Sequence, residues 1–126
     1  MKNIIPKHKS DIKAVENLDC YTIAEISEEI PLLLEWLKDC NWPVAHPIYT
    51  YFKRHINEID EHIISILKSD DGMWKYWIVG LIADAEQKPN HRIINTLMNL
   101  VANPTIDEIE SEVNSAAKEF LDGLKS

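Results

Sequence analysis

The sequence predicts an all-helical protein. Apolar residues recur three and four positions apart in segment after segment, with no sustained alternation of period two. Ser/Thr-x-x-Glu capping boxes stand at Thr22-Ile23-Ala24-Glu25 and at Thr105 with Glu108, and Pro and Asn punctuate the stripes. A repeat sets the expected architecture. At a shift of 30 residues Leu33, Leu34 and Leu37 fall on Ile63, Ile64 and Leu67, then Val44, Ile48, Tyr51 and Phe52 on Trp74, Ile78, Leu81 and Ile82. The same shift carries Ile63, Ile64 and Leu67 onto Ile93, Ile94 and Leu97, whereas Ile78, Leu81 and Ile82 reach Val113, Ala116 and Ala117 only at a shift of 35. A two-helix unit that cannot bury its stripes alone stacks on its copies, so about three antiparallel helix pairs are expected to form a short right-handed solenoid of the HEAT type.

Each element has a local reason. Ser10 opens a short helix carrying Ile12, Val15 and Leu18, and the first capping box opens another. From about Glu28 to Lys38 the stripe is Ile30, Leu33, Leu34 and Leu37, with Pro31 tolerated in a first turn whose amides lack intrahelical partners. Asn41-Trp42-Pro43 breaks the chain and restarts it, Asn41 serving as the expected N-cap of a helix bearing Val44, Ile48, Tyr51, Phe52 and His55. Asn57 is the expected N-cap of a helix with Ile59, Ile63, Ile66 and Leu67. After Ser69-Asp70-Asp71-Gly72 comes the clearest stripe: Trp74, Trp77, Ile78, Leu81, Ile82 and Ala85. Pro89-Asn90 precedes Ile94, Leu97, Met98 and Val101. The last helix starts at Thr105 and runs toward Gly123, with Ile106, Ile109, Val113, Ala116, Ala117 and Phe120 inward and its early carboxylates at the positive end of the helix dipole.

Composition narrows the function classes. The 126 residues suit one domain, assigned to 10–122 with tails at 1–9 and 123–126. Thirteen Lys and Arg against 21 Asp and Glu give a formal charge of −8, which argues against nucleic acid as partner. No apolar run approaches the roughly 18 to 20 residues that span a bilayer, and the basic start breaks at Pro6 before any signal-peptide core, so the expected location is the cytoplasm, without membrane contact. Cys20 and Cys40 are too few for a disulfide framework and lie in no metal pattern.

The segments Leu34-Glu35-Trp36-Leu37-Lys38-Asp39-Cys40-Asn41-Trp42-Pro43-Val44-Ala45, Asp70-Asp71-Gly72-Met73-Trp74-Lys75-Tyr76-Trp77-Ile78 and Asn103-Pro104-Thr105 together resemble a bacterial domain-of-unknown-function family of small HEAT-like all-helical proteins. The resemblance covers about residues 10 to 122. It implies a fold, and it carries over no activity, cofactor or catalytic residue.

Signatures of catalysis are sparse. His55, Glu58 and His62 have metal-like spacing, but a turn expected at Asn57 splits their face. His8, His46 and His91 stand alone at predicted ends or turns. Cys20 and Cys40 have no adjacent histidine motif and read as small hydrophobes of a helical core. The acid pairs Glu28-Glu29 and Asp70-Asp71 sit where helices begin and read as caps, and GxxxxGK[ST], GxGxxG and HExxH are absent. No metal, cofactor or enzymatic activity is therefore assigned.

Four tryptophans, Trp36, Trp42, Trp74 and Trp77, are expected to fill gaps between stacked helix pairs. Positions off the stripes are the candidate partner-binding residues: Tyr49 and Lys53 on one second-position helix, Lys75, Tyr76 and Val79 on its counterpart. The leading expectation is a protein–protein interaction module whose partner is a protein, a basic one suiting the charge. An immunity or inhibitor protein masking a basic toxin is the sharper alternative, and an enzyme is the third.

Overall fold

Eight α-helices and three short 3-10 turns make up the regular structure of residues 3–124, the residues described by the computed structural model, and no strand occurs among them. Helix α1 is Ile12–Val15, followed by 3-10 turns at Leu18–Cys20 and Ala24–Ile26. Helix α2, Ile30–Glu35, tightens into a 3-10 turn at Trp36–Lys38. Then come α3 (Ala45–Phe52), α4 (Asp60–Leu67), α5 (Gly72–Asp84), α6 (His91–Ala102), α7 (Ile106–Glu110) and α8 (Val113–Leu124). None of these helices is long and apolar enough to cross a membrane.

Helix α5 is the centre. Its sequence is apolar almost all round, as a helix enclosed by neighbours must be, and it touches α4, α7, α8 and the Trp36–Lys38 turn. Helix α6 packs on α4 and α8. The repeat shows in burial at two of its positions: Leu33, Ile63 and Ile93, each 30 residues apart, are all fully buried, as are Ile48, Ile78 and Val113 at shifts of 30 and then 35. Both capping boxes form. The Thr22 amide donates to Glu25 Oε1 at 2.9 Å and the Glu25 amide to Thr22 Oγ1 at 3.2 Å, and Thr105 and Glu108 close the same reciprocal pair. Asp71 and Asn90 cap α5 and α6 by accepting from the Trp74 and Ile93 amides.

The tryptophans join segments. Trp36 and Trp42 meet edge to face at 5.6 Å, and Trp74 donates from Nε1 to the Leu34 carbonyl at 3.0 Å while Lys38 Nζ lies 4.7 Å from its ring centroid.

Several expectations are corrected. Asn41 does not cap α3, which starts at Ala45; the Val44 amide instead donates to the Lys9 carbonyl at 3.1 Å. Ile4 and Pro6 are buried, so the stretch assigned to the N-terminal tail is part of the folded body, and α8 likewise takes in Gly123 and Leu124. Residues 1–2 and 125–126 of those tails lie outside the described residues. Asn57 caps nothing; its Nδ2 donates to the Lys88 carbonyl and its Oδ1 accepts from the Asn90 amide, fastening the turn before α4 to the one before α6. His55 lies beyond the end of α3 and bonds Glu58 at 2.7 Å, while His62 belongs to α4. Helix α6 buries Ile93, Leu97 and Leu100 and leaves Met98 half exposed, because α4 and α8 close on the face one position round from the expected stripe.

The largest correction concerns the last helix, which is two helices. Glu112 adopts φ 61°, a left-handed backbone that ends α7 and re-aims the chain into α8. Freed from α8, the five-residue α7 turns Asp107 and Glu108 inward and leaves Ile106 75% exposed and Ile109 54% exposed. The reason is Lys75. Expected on the surface, it is 1% exposed, with Nζ 2.7 Å from Asp107 Oδ2 and 2.9 Å from Glu108 Oε2. A buried ammonium requires counter-charges, so α7 presents acids where its isoleucines were expected. Burial alone would lower the Lys75 pKa, but its bonds to the two carboxylates outweigh it and hold it above the ordinary lysine value. Lys75, and then Thr105, hold Asp107 below the usual aspartate value.

The glycines of α5 separate packing from space. A Cβ on Gly72 would lie 2.5 Å from Ser111 Oγ and 2.7 Å from the Asp107 carbonyl oxygen, whereas on Gly80 it would meet only Tyr49 Oη at 3.6 Å. Gly72→Ala is therefore expected to destabilise by roughly 1–3 kcal/mol through overpacking, and Gly80→Ala to stabilise by about 0.5–1 kcal/mol through helix propensity. Urea melts of the two variants check the opposite signs.

Candidate functional site

Helices α3, α5 and α8 do not close on one another along their whole length, and the reason is side-chain size. Ala45 on α3, Gly80 and Ala83 on α5, and Ala116 on α8 face a common space, and four small residues cannot fill it. The result is an open cleft of about 780 Å³. That lies within the roughly 300–1,000 Å³ typical of ligand sites. Aromatic rings form much of its wall: Tyr49 from α3, Tyr76 and Trp77 from α5, and Phe120 from α8. Tyr76 and Trp77 stand edge to face at 5.5 Å, and all four aromatics are partly exposed. The indole Nε1 of Trp77 is itself buried and has no hydrogen-bond acceptor among the described residues.

Polar groups are few. Asp84, in the last turn of α5, accepts a short hydrogen bond from the Tyr49 hydroxyl, which ties α3 to α5 across the cleft. Burial, and then the Asp84 carboxylate, push the Tyr49 phenol above the ordinary tyrosine range, so it remains a donor at any physiological pH. Glu119 and His46 complete the polar lining, and among the described residues no Lys or Arg lines the cleft. The Cys40 thiol also lies there, donating toward the Leu37 carbonyl at 3.8 Å. Burial, and next the Asp39 charge, push it up to about 11, which makes it a neutral group and a poor nucleophile. Cys20, expected in the core, is exposed. No group of three or more His, Cys, Asp or Glu with metal-binding geometry occurs among the described residues.

Three of the five candidate binding residues meet at this cleft. Tyr49 and Tyr76 line it partly exposed; Val79 lines it from within the core, 1% exposed, which corrects its expected place on the surface. Lys75 points to α7 instead, as described above. Lys53 follows the end of α3, where its carbonyl accepts from the Glu86 amide at 2.9 Å, and it does not line the cleft. Sequence reasoning missed Gly80, Asp84, Glu119 and Phe120 as neighbours of the tyrosines, and it placed Trp77 on a core stripe although the structure sets it, half-buried, in the cleft wall. A signal was present. Gly80 lies inside the helix with the clearest stripe but off that stripe, and a helix-interior glycine costs about 1 kcal/mol against alanine, which marks a position where space is kept.

None of the curated proteins compared with the chain matches it. The model of the family described as Domain of unknown function (DUF5071) matches residues 4–121, which agrees with the resemblance in so far as it named a domain-of-unknown-function family, and begins where Ile4 enters the core. The chain belongs to that family.

Proposed function

We propose that this protein is a protein–protein interaction module that docks a segment of a basic partner in the cleft between α3, α5 and α8. The observation that carries the reading is the cleft itself: aromatic and small apolar walls around an open space, with Asp84, Glu119 and His46 at its polar positions. Aromatic anchors supply most of the energy of protein interfaces, and acidic surface speeds encounter with a basic partner. The formal charge of −8 acts in the same direction. The shared burial at 30-residue intervals supports a short HEAT-like repeat as the frame, in which second-position helices line the recognition face.

Random peptides displayed on phage and selected on the immobilised protein test this reading. Enriched sequences are expected to combine apolar residues with Lys or Arg. Ala83→Trp, which fills the cleft from an exposed position, should weaken their binding by about tenfold while leaving the melting temperature unchanged. Peptides that bind Ala83→Trp and wild type alike, or a selection that enriches nothing, reject the cleft as the docking site.

A further inference from the structure

Resting on that reading of the cleft, we infer that the group it recognises is a cationic side chain on an apolar stem, held among the aromatic rings of Tyr49, Tyr76, Trp77 and Phe120 and by the carboxylates of Asp84 and Glu119. The chemistry of the lining points to this class. A ring presents negative charge density on its face, so a cation over tyrosine or tryptophan is attracted even after it loses water. Four partly exposed rings around one space are more than an aliphatic ligand requires. An anion would meet two carboxylates and, among the described residues, no Lys or Arg.

The Asp84 carboxylate is also positioned. Tyr49 donates its hydroxyl to Oδ2 of Asp84, which restrains that carboxylate without cancelling its charge. Oδ1 remains able to accept from an ammonium or guanidinium, and the charge-assisted bond is stronger than a neutral one. Tyr49 keeps its proton throughout, because burial and Asp84 both oppose its ionisation. The Tyr49 oxygen lies 3.6 Å from the Cβ position of Gly80, an ordinary contact distance, so the phenol rests against α5. Ala83 and Ala116 leave room for the stem. Tyr49 is thus a positioning residue as well as a wall, and Asp84 is the group that reads charge.

The test uses two small probes that share a stem and differ in charge, 4-phenylbutylamine and 4-phenylbutan-1-ol, titrated into isotopically labelled protein. The Trp77 indole N–H and the Gly80 amide resonances report binding. The amine is expected to shift both saturably and to bind about tenfold more tightly than the alcohol. Asp84→Asn should bring the two probes to within about twofold of each other, with alcohol binding retained; Glu119→Gln, at an exposed helical position, should reduce the preference in the same direction. Tyr49→Phe, which keeps the ring and removes the hydroxyl, should lower the amine preference and leave the alcohol unchanged. Equal binding of amine and alcohol to the wild type overturns the cation inference and leaves the cleft as an apolar docking site. Failure of both probes to shift these resonances overturns the inference together with the cleft as a binding site.

Discussion

Replacing Lys75 with alanine is expected to destabilise the protein by roughly 3–5 kcal/mol, chiefly the cost of leaving the buried Glu108 carboxylate without its counter-charge. Glu108 is 5% exposed and loses its cation entirely. Asp107, about a third exposed, contributes less because water screens it. The pH dependence has a defined sign. Lys75 and Thr105 hold Asp107 below its ordinary value of 3.8, so its contribution is complete above that value and is lost as pH falls through the lower native pKa. The Lys75 pKa is raised above 10.5, so its contribution is complete below that value and is lost as pH rises through the higher native pKa. The stability gap between wild type and Lys75→Ala should therefore be flat from about pH 5 to pH 9 and should narrow at both extremes. Denaturant midpoints measured across that range provide the check, and a gap under about 1 kcal/mol at pH 7 would mean that the triad is only a surface ion pair.

Phe52→Ala is expected to cost a similar roughly 3–5 kcal/mol and to lower the melting temperature by roughly 10 °C or more. Phe52 is fully buried and meets Tyr51 edge to face at 5.3 Å. Ile82 and Ala117 occupy the corresponding positions at shifts of 30 and then 35 residues, and both are buried. The side chain shrinks from Phe to Ile to Ala along the chain, so the first position holds the most apolar area. Phe52→Leu, which keeps much of the volume, should recover most of the loss; if both variants melt with the parent, the first helix pair does not depend on this contact. Tyr51 next to it donates its hydroxyl to the Tyr21 carbonyl at 2.8 Å, binding the N-terminal segment to α3.

What was legible in the sequence was whatever repeats locally. Helix class, both capping boxes and the equivalence of Leu33 with Ile63 and Ile93 follow from spacing, because a 3.6-residue period and a cap are properties of neighbours along the chain. Tyr49 and Tyr76 were singled out the same way, as aromatics off the stripes, and both stand in the cleft wall. The fate of Lys75 was not legible. On α5 it reads as a solvated charge, and only the arrival of Asp107 and Glu108, 32 and 33 residues later, makes the interior tolerable for it. That long-range pairing then reverses α7, exposing Ile106 and Ile109 against their apolar pattern. The cleft was hidden for a related reason. An empty space is made by residues that are absent, and the small side chains of Ala45, Gly80, Ala83 and Ala116 become a cavity only when three separate helices bring them face to face. Periodicity by itself determined that the chain is helical and that Leu33, Ile63 and Ile93 share the core. Tertiary structure alone decided where charge is buried and where space is left, because both depend on contacts between residues far apart in the chain.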